Sequence, residues 1–267
     1  MMKTITKIST QKKQGRYNVD LNGHFAFGIA ESVLVKYGLA KGRELDDETI
    51  QRIKYDDEIA KALHVAVNYL GHTLRTVHQV QKKLHDNDVD VTIQDQVIAK
   101  LKEQSYLDDL NYAKHYVATK KHIAPKGPLV VAQELKQAGV TEDEIDIALR
   151  DYTYEEQLAI AEKLGAKFAK NYQRQSSRAK QQKVIQALLN KGFSYDIAQI
   201  VIERFVDSNS NEVELDNVMR EATKLWHRYR HEVPSQRKYR TKNNLYAKGY
   251  TSELIDQSID KLMLDES

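Results

Sequence analysis

Cysteine is absent from the 267 residues, and with it go disulfide scaffolds, zinc ribbons, thiol nucleophiles and iron–sulfur clusters. Proline is scarce, at 3, and glycine modest, at 11, so long helices are permitted and proline-rich disorder is excluded. Nowhere do about eighteen apolar residues run together, and the opening MMKTITKIST lacks the apolar centre of a leader. Both predict a soluble, cytoplasmic protein. The P-loop, G-x-G-x-x-G, G-x-S-x-G and H-E-x-x-H patterns are missing too, which counts modestly against an enzyme. What the chain has is charge. Charged residues make up 30% and hydrophobic ones 41%, a balance that suits much surface per unit of core.

The net charge of +3 conceals segregation. From Lys163 to Tyr195 there are eight basic residues and no acid; from Lys224 to Tyr250 there are eight against the single acid Glu232. Acids gather elsewhere, in TEDEID and NEVELD.

RYNVDLNGHFAFGI alternates Tyr17, Val19 and Leu21, turns at Asn22-Gly23, and alternates again through Phe25, Phe27 and Ile29. Asn-Gly between alternating runs predicts a hairpin, because both turn positions need positive φ. TITKIS offers a third strand, and AESVLVKYGL and DDETIQRIKYDDEIAKAL read as short helices.

The remainder repeats one grammar four times. A leucine (Leu84, Leu135, Leu188, Leu245) is followed four residues on by Asp88, Gly139, Gly192 or Gly249. Then come Val89, Val140, Phe193 or Tyr250, and next Asp90, Thr141, Ser194 or Thr251. Apolar pairs follow at Ile98/Leu101, Leu149/Tyr152, Ile202/Phe205 and Ile259/Leu262. The glycine ends a helix in the left-handed conformation, and the residue after it packs back on the leucine. The Ser, Thr or Asp then caps the next helix, with Glu144 completing a capping box on Thr141. Asp88 departs from glycine, but aspartate tolerates the left-handed region better than most residues.

Leucine-to-leucine intervals of 51, 53 and 57 residues leave room for a third helix in each unit. The fold class expected is therefore mainly α: tandem three-helix repeats forming an elongated curved array, with a small β-hairpin-containing cap at the N-terminus. The divisions expected are a cap over 1–57, repeats over 58–105, 106–153 and 154–206, and a linker with the fourth repeat over 207–267. VDSNSNEVELD is a hinge candidate ahead of that last repeat.

Lys163, Lys167, Lys170, Arg174 and Arg178 step by three or four, which on one helix makes a ladder able to follow phosphates. Phe168, Tyr172, Trp226, Tyr229 and Tyr239 are interleaved and offer stacking surfaces, or else core. On charge alone, the residues expected to contact DNA or a filament are Lys167, Lys170, Arg174, Arg178, Lys180, Lys183, Arg228, Arg230, Arg237, Lys238 and Arg240. His227 and His231 have the spacing of two metal ligands, but Arg228 and Arg230 beside them repel a cation, so no metal or other cofactor is expected. Asp108 and Asp109 precede a helical run and read as caps rather than a catalytic pair. No catalytic residue emerges.

Two segments carry a family resemblance. ITKISTQKKQGRYNVDLNGHFAFGIAESVLVKYGLAKG resembles the opening of Gram-positive members of the RecX regulatory family, modulators of the RecA recombinase. YLDDLNYAKHYVATKK…KGPLVVAQELKQAGV resembles that family's best-kept segment, at Tyr106, Leu107, Asp108, Asp109, Tyr112, Ala113, Gly127, Pro128, Glu134, Leu135 and Gly139. The resemblance implies a curved array of three-helix repeats and no catalysis. It implies binding to RecA and to the RecA–DNA filament, where lodging in the groove limits filament growth, ATPase and strand exchange. It also implies weak binding to single- and double-stranded DNA without sequence preference. No membrane partner is expected, and the free chain is expected to be a monomer. The alternatives are a stand-alone DNA-binding protein and a helical scaffold for an acidic protein partner.

Overall fold

A computed structural model describes residues 1–206 and 211–266. Four strands open the chain: β1 (Lys3–Thr10), β2 (Arg16–Leu21), β3 (His24–Ala30) and the short β4 (Glu44–Leu45). They form one antiparallel sheet in the order β3-β2-β1-β4. Asn22 and Gly23 sit at φ 51° and 87°, both left-handed, as the two-residue hairpin turn demands. Ile5, Val19, Leu21, Phe27 and Ile29 bury one face against Val33 of α1 (Glu31–Lys36) and Ile50 and Ile53 of α2 (Asp47–Leu70). Phe25, expected to share that face, lies past a register shift at Val19/Asp20 and stays exposed.

DDETIQRIKYDDEIAKAL, expected as a short helix, runs on past residue 63 to Leu70 as the long α2. Asp46 caps α2 through Thr49 N–H, and no glycine or proline interrupts its 24 residues. One helix therefore serves both the cap and the first repeat. Asp57, buried in its middle, accepts Arg16 Nη1 and Nη2 at 3.1 and 2.8 Å, Ala30 N–H at 2.7 Å and Lys61 Nζ at 2.9 Å. This fastens α2 to two strands.

The remaining helices follow in threes. α3 (Val77–His85) and α4 (Val91–Glu103) complete the set begun by α2. Then come α5 (Asp109–His122), α6 (Pro128–Gln137) and α7 (Glu142–Leu149), followed by α8 (Tyr154–Asn171), α9 (Ser177–Asn190) and α10 (Tyr195–Val206). The last set is α11 (Asn211–Arg228), α12 (Pro234–Ala247) and α13 (Ser252–Leu264). By compactness the chain forms two units, Met1–Ala113 with Lys136–Glu144, and Lys114–Leu135 with Ile145–Ser267.

The recurring turn has the chemistry its residues require. All four leucines are fully buried. Asp88, Gly139, Gly192 and Gly249 have φ of 57°, 88°, 90° and 86°. The N–H groups of Val89, Phe193 and Tyr250 donate to the carbonyls of Leu84, Leu188 and Leu245 at 3.2, 3.2 and 3.3 Å, the long bond of a Schellman motif. Asp90, Thr141, Ser194 and Thr251 cap the helices that follow. Of the expected apolar pairs, Ile98, Leu101, Tyr152, Ile259 and Leu262 are buried and Leu149 and Ile202 partly so; the side chain of Phe205 and part of the hinge candidate, 207–210, lie outside the described residues.

The glycines have a second task that joins one repeat to the next. The turn after each repeat's second helix seats the start of the preceding repeat's second helix. Thr76 at the start of α3 accepts Gln79 N–H and donates its hydroxyl to Ala138 O at 2.5 Å. Ser176 at the start of α9 accepts Ala179 N–H and donates to Lys248 O at 2.6 Å. At the next backbone position, Val77 N–H is taken by Asp109 at 2.9 Å and Ser177 N–H by Glu214 at 3.0 Å. Burial raises the Asp109 carboxyl above the usual range, opposed by that N–H and reinforced by Glu144.

Between the second and third repeats the same joint is made of backbone. Gly127 N–H donates to Lys191 O at 2.7 Å and Leu129 N–H to Gly192 O at 3.1 Å, while Pro128 has no N–H to satisfy. A Cβ on Gly139 would collide with His78, and one on Gly192 would stand 2.5 Å from Val130 N and 2.7 Å from its Cβ. One on Gly249 would stand 3.0 Å from Ser176 Oγ. Asp88 has no preceding repeat to seat and is exposed, which is why the first turn tolerates a side chain there.

Candidate nucleic-acid interface

The basic residues of the two acid-poor stretches differ sharply in their partners. In the second stretch most are neutralised. Arg237 lies 4.1 Å over Trp226 and makes a two-pronged pair with Glu266 at 2.8 and 2.9 Å. Lys238 faces Asp260 at 3.6 Å, Arg240 faces Glu232 at 2.7 Å, and Lys242 faces Asp256 at 2.8 Å. Lys224 and Lys248 share Glu221, each at 3.0 Å. Burial raises the Glu221 carboxyl, but these two lysines hold it below its ordinary value. Arg230 stands 3.2 Å from His227, and Arg228 is exposed with no ion pair among the described residues.

In the first stretch most basic residues lack an ion-pair partner, and the acids that come near it in space are Glu214, bound to Ser177, and Glu221. Lys163, Lys167, Lys170, Arg174, Arg178 and Lys183 are exposed and make no ion pair among the described residues. Lys180 is half-buried; burial pushes its ammonium below the usual lysine range, opposed by Glu214. The expected single ladder is broken, however. α8 ends at Asn171, Tyr172 closes it, and Ser176 caps a new helix. Lys163, Lys167 and Lys170 therefore share α8, Arg174 lies in the turn, and Arg178, Lys180 and Lys183 ride on α9. The signal that marks the break is Ser176 itself, an N-cap residue inside a run read as continuous.

Of the five aromatic residues that offered stacking surfaces, four are used internally. Trp226 is buried under Arg237, Phe168 and Tyr172 pack on the third-repeat core, and Tyr229 packs on the fourth while its hydroxyl accepts Asn244 Nδ2 at 3.2 Å. Tyr239 alone is open, at 68% exposure. Asp108 caps α5 through Asn111 N–H at 2.9 Å, whereas its neighbour Asp109 caps α3 across the joint.

The turn that breaks the ladder creates a site that the sequence did not reveal. Two adjoining clefts, of about 340 and 270 Å³, open at the joint between the third and fourth repeats and share Ala179, Ala247 and Lys248. Arg174 and Lys183 line the first, Arg178 and the exposed Tyr246 the second. Glu221 is the acid in the lining. Tyr250 closes the first cleft, its hydroxyl pushed by burial up to about 12, so it stays a neutral donor. A larger opening of about 600 Å³ beside α2 carries Lys13, Arg16, Lys61 and His64, but Arg16 and Lys61 are committed to Asp57. The joint clefts bring together three cations, Arg174, Arg178 and Lys183, that make no ion pair among the described residues.

This division between structural and free cations is open to test. Arg237→Ala is expected to lower unfolding free energy by about 1–2 kcal/mol, because it removes a stacked and paired guanidinium. Lys167→Ala should stay within about 0.5 kcal/mol of the parent. Urea titrations of both variants provide the check.

Comparison with known proteins supplies the lineage. Residues 3–46 match the regulatory protein RecX N-terminal domain, residues 108–149 the second three-helix domain of RecX, and residues 155–202 and 212–259 each match its third three-helix domain. A regulatory protein RecX of Leuconostoc mesenteroides is 61% identical over 261 residues, spanning 98% of either chain. That of Bacillus subtilis is 33% identical over 261 residues, 97% of this chain and 99% of its own. A crystal structure of a regulatory protein RecX aligns with a TM-score of 0.67 and 39% identity, covering 75% of this chain and 99% of that one. The crystal structure of RecX from Lactobacillus salivarius aligns with a TM-score of 0.53 and 37% identity over 56% of this chain and 97% of its own. Family models thus match the cap and three of the repeats, relatives at 61% and 33% identity span nearly the whole chain, and the chain belongs to the RecX family.

Proposed function

We propose that this chain is a cytoplasmic regulator that binds RecA and the filament RecA forms on DNA. By lodging in the filament groove it limits extension, ATP turnover and strand exchange, and so restrains recombination and the SOS response. It does this by binding, without catalysis. Family membership supports the reading. The observation that carries it is the set of unneutralised cations Lys163, Lys167, Lys170, Arg174 and Arg178, which suits a surface presenting phosphates and acidic side chains together. Among the described residues no helix is long and apolar enough to cross a membrane, and no cluster of His, Asp and Glu could hold a metal ion.

Titrating the protein against the ATPase of RecA on single-stranded DNA tests this. Inhibition is expected well below the concentration at which the protein shifts naked DNA. An ATPase unaffected at saturation would sink the reading. The free cations at the repeat joint favour one alternative, a DNA-binding protein that acts without RecA, and the same titration separates it: inhibition would then appear only where naked DNA is already bound.

A further inference from the structure

α12 presents an unusual outer face. Tyr239 and Tyr246 are 68% and 56% exposed and seven residues apart, so they point the same way two turns apart, about 10.5 Å along the axis. Asn243 lies exposed between them. Neither ring packs into the fourth-repeat core, whose aromatic members are Trp226, Tyr229 and Tyr250. Tyr246 borders the smaller joint cleft together with Arg178, and the adjoining cleft carries Arg174 and Lys183. Two outward aromatic faces in line, with unpaired guanidinium and ammonium groups beside one end, match what unpaired nucleotides need: flat surfaces for bases and cations for the phosphates between them. A duplex cannot use the rings, since its bases already stack on each other inside.

We propose that this face of α12 is a stacking track for unpaired nucleobases, in which Tyr246 and Tyr239 each take a base and Arg174, Arg178 and Lys183 hold the phosphates that lead to them. The spacing of the rings corresponds to about three stacked rises of ~3.4 Å. The track deepens the function proposed above by supplying a contact to the strand of a protein–DNA filament. It is tested without RecA, so its failure leaves regulation of the recombinase standing, and failure of that regulation leaves the track standing.

Fluorescence anisotropy with three labelled probes decides the matter: a 15-nucleotide thymidine strand, an abasic strand of the same length and charge, and a 15-base-pair duplex. The intact chain is expected to bind the thymidine strand about 25-fold or more tighter than the abasic one, the product of stacking on two rings. Tyr246→Ala and Tyr239→Ala should each weaken thymidine-strand binding about 5-fold or more and leave the abasic strand and the duplex unchanged, while Tyr246→Phe keeps the parent affinity. Arg178→Ala should weaken both single strands and flatten their salt dependence by about 0.7 for each phosphate it no longer neutralises. Circular dichroism should be unaltered, because both tyrosines are exposed. Equal affinity for thymidine and abasic strands, no binding to either, or an equal loss on duplex in the tyrosine variants would overturn the proposal.

Discussion

Gly192→Ala is expected to lower the stability of the protein by about 2–5 kcal/mol. Part of this is conformational. At φ 90° an alanine meets the penalty of the left-handed region, about 1–2 kcal/mol. The rest is steric, since the new Cβ would face Val130 N at 2.5 Å and Val130 Cβ at 2.7 Å. Backbone cannot swing aside as a side-chain tip can, so the α6 start must lift away, endangering the Leu129-to-Gly192 bond of 3.1 Å. Overpacking of this kind costs about 1–3 kcal/mol. Gly42→Ala is the matching control: φ there is 89° and nothing lies within 4 Å of the added Cβ, so only the conformational share should be lost. Urea unfolding followed by circular dichroism compares the two. Because repeats are stabilised by their neighbours, the Gly192 variant should also gain a separate early step. Equal losses in both variants would mean that the joint contributes nothing.

Asp57→Ala is expected to cost about 3–5 kcal/mol, the range for stripping one partner from a buried ion pair. The carboxylate is 2% exposed, and its loss leaves Arg16, only 15% exposed in its side chain, without a counter-charge, and Ala30 N–H without its acceptor. The same group makes a pH signature. Burial drives its pKa up, but hydrogen bonds from Arg16, Lys61 and Ala30 N–H outweigh burial, and the folded value lies below the usual one. A depressed carboxylate contributes stability above its unfolded pKa, ~3.9, and that contribution fades as pH falls through the folded value. The parent should therefore lose stability more steeply than Asp57→Asn below about pH 4. Urea midpoints at pH 7 and pH 3 test the sign. A parallel decline in both proteins would remove Asp57 from the account.

The repeat grammar was legible in the sequence because each of its parts acts within six residues: leucine, left-handed residue, returning apolar residue, cap. The glycine's second role was not, since its reason is Val130 or His78, more than sixty residues away along the chain in either case. The same distance effect governs charge. Arg237, Lys238 and Lys242 look unopposed in their own stretch, yet Glu266, Asp260 and Asp256 return to them from α13 and the residues just after it. Local counting finds free cations only where no later helix folds back with acids, as at Lys163, Lys167 and Lys170. The joint clefts were hidden for a third reason. A step of three or four reads as one helix, and Arg174 and Arg178 keep that step across the turn that Ser176 ends.

Asp88 bears on how a chain of this kind changes length. A unit copied in ahead of the first one would meet, at that position, a carboxylate-bearing carbon where positions 139, 192 and 249 offer bare main chain. The other border shares only half of an inner joint: Pro234 begins α12 with no N–H to satisfy, as Pro128 begins α6, but Val233 stands where Gly127 does, and a Cβ at 127 would lie 2.2 Å from Gly192 O. Each border of the row thus carries a side chain, at Asp88 and at Val233, where the joint between the second and third repeats has glycine on both sides.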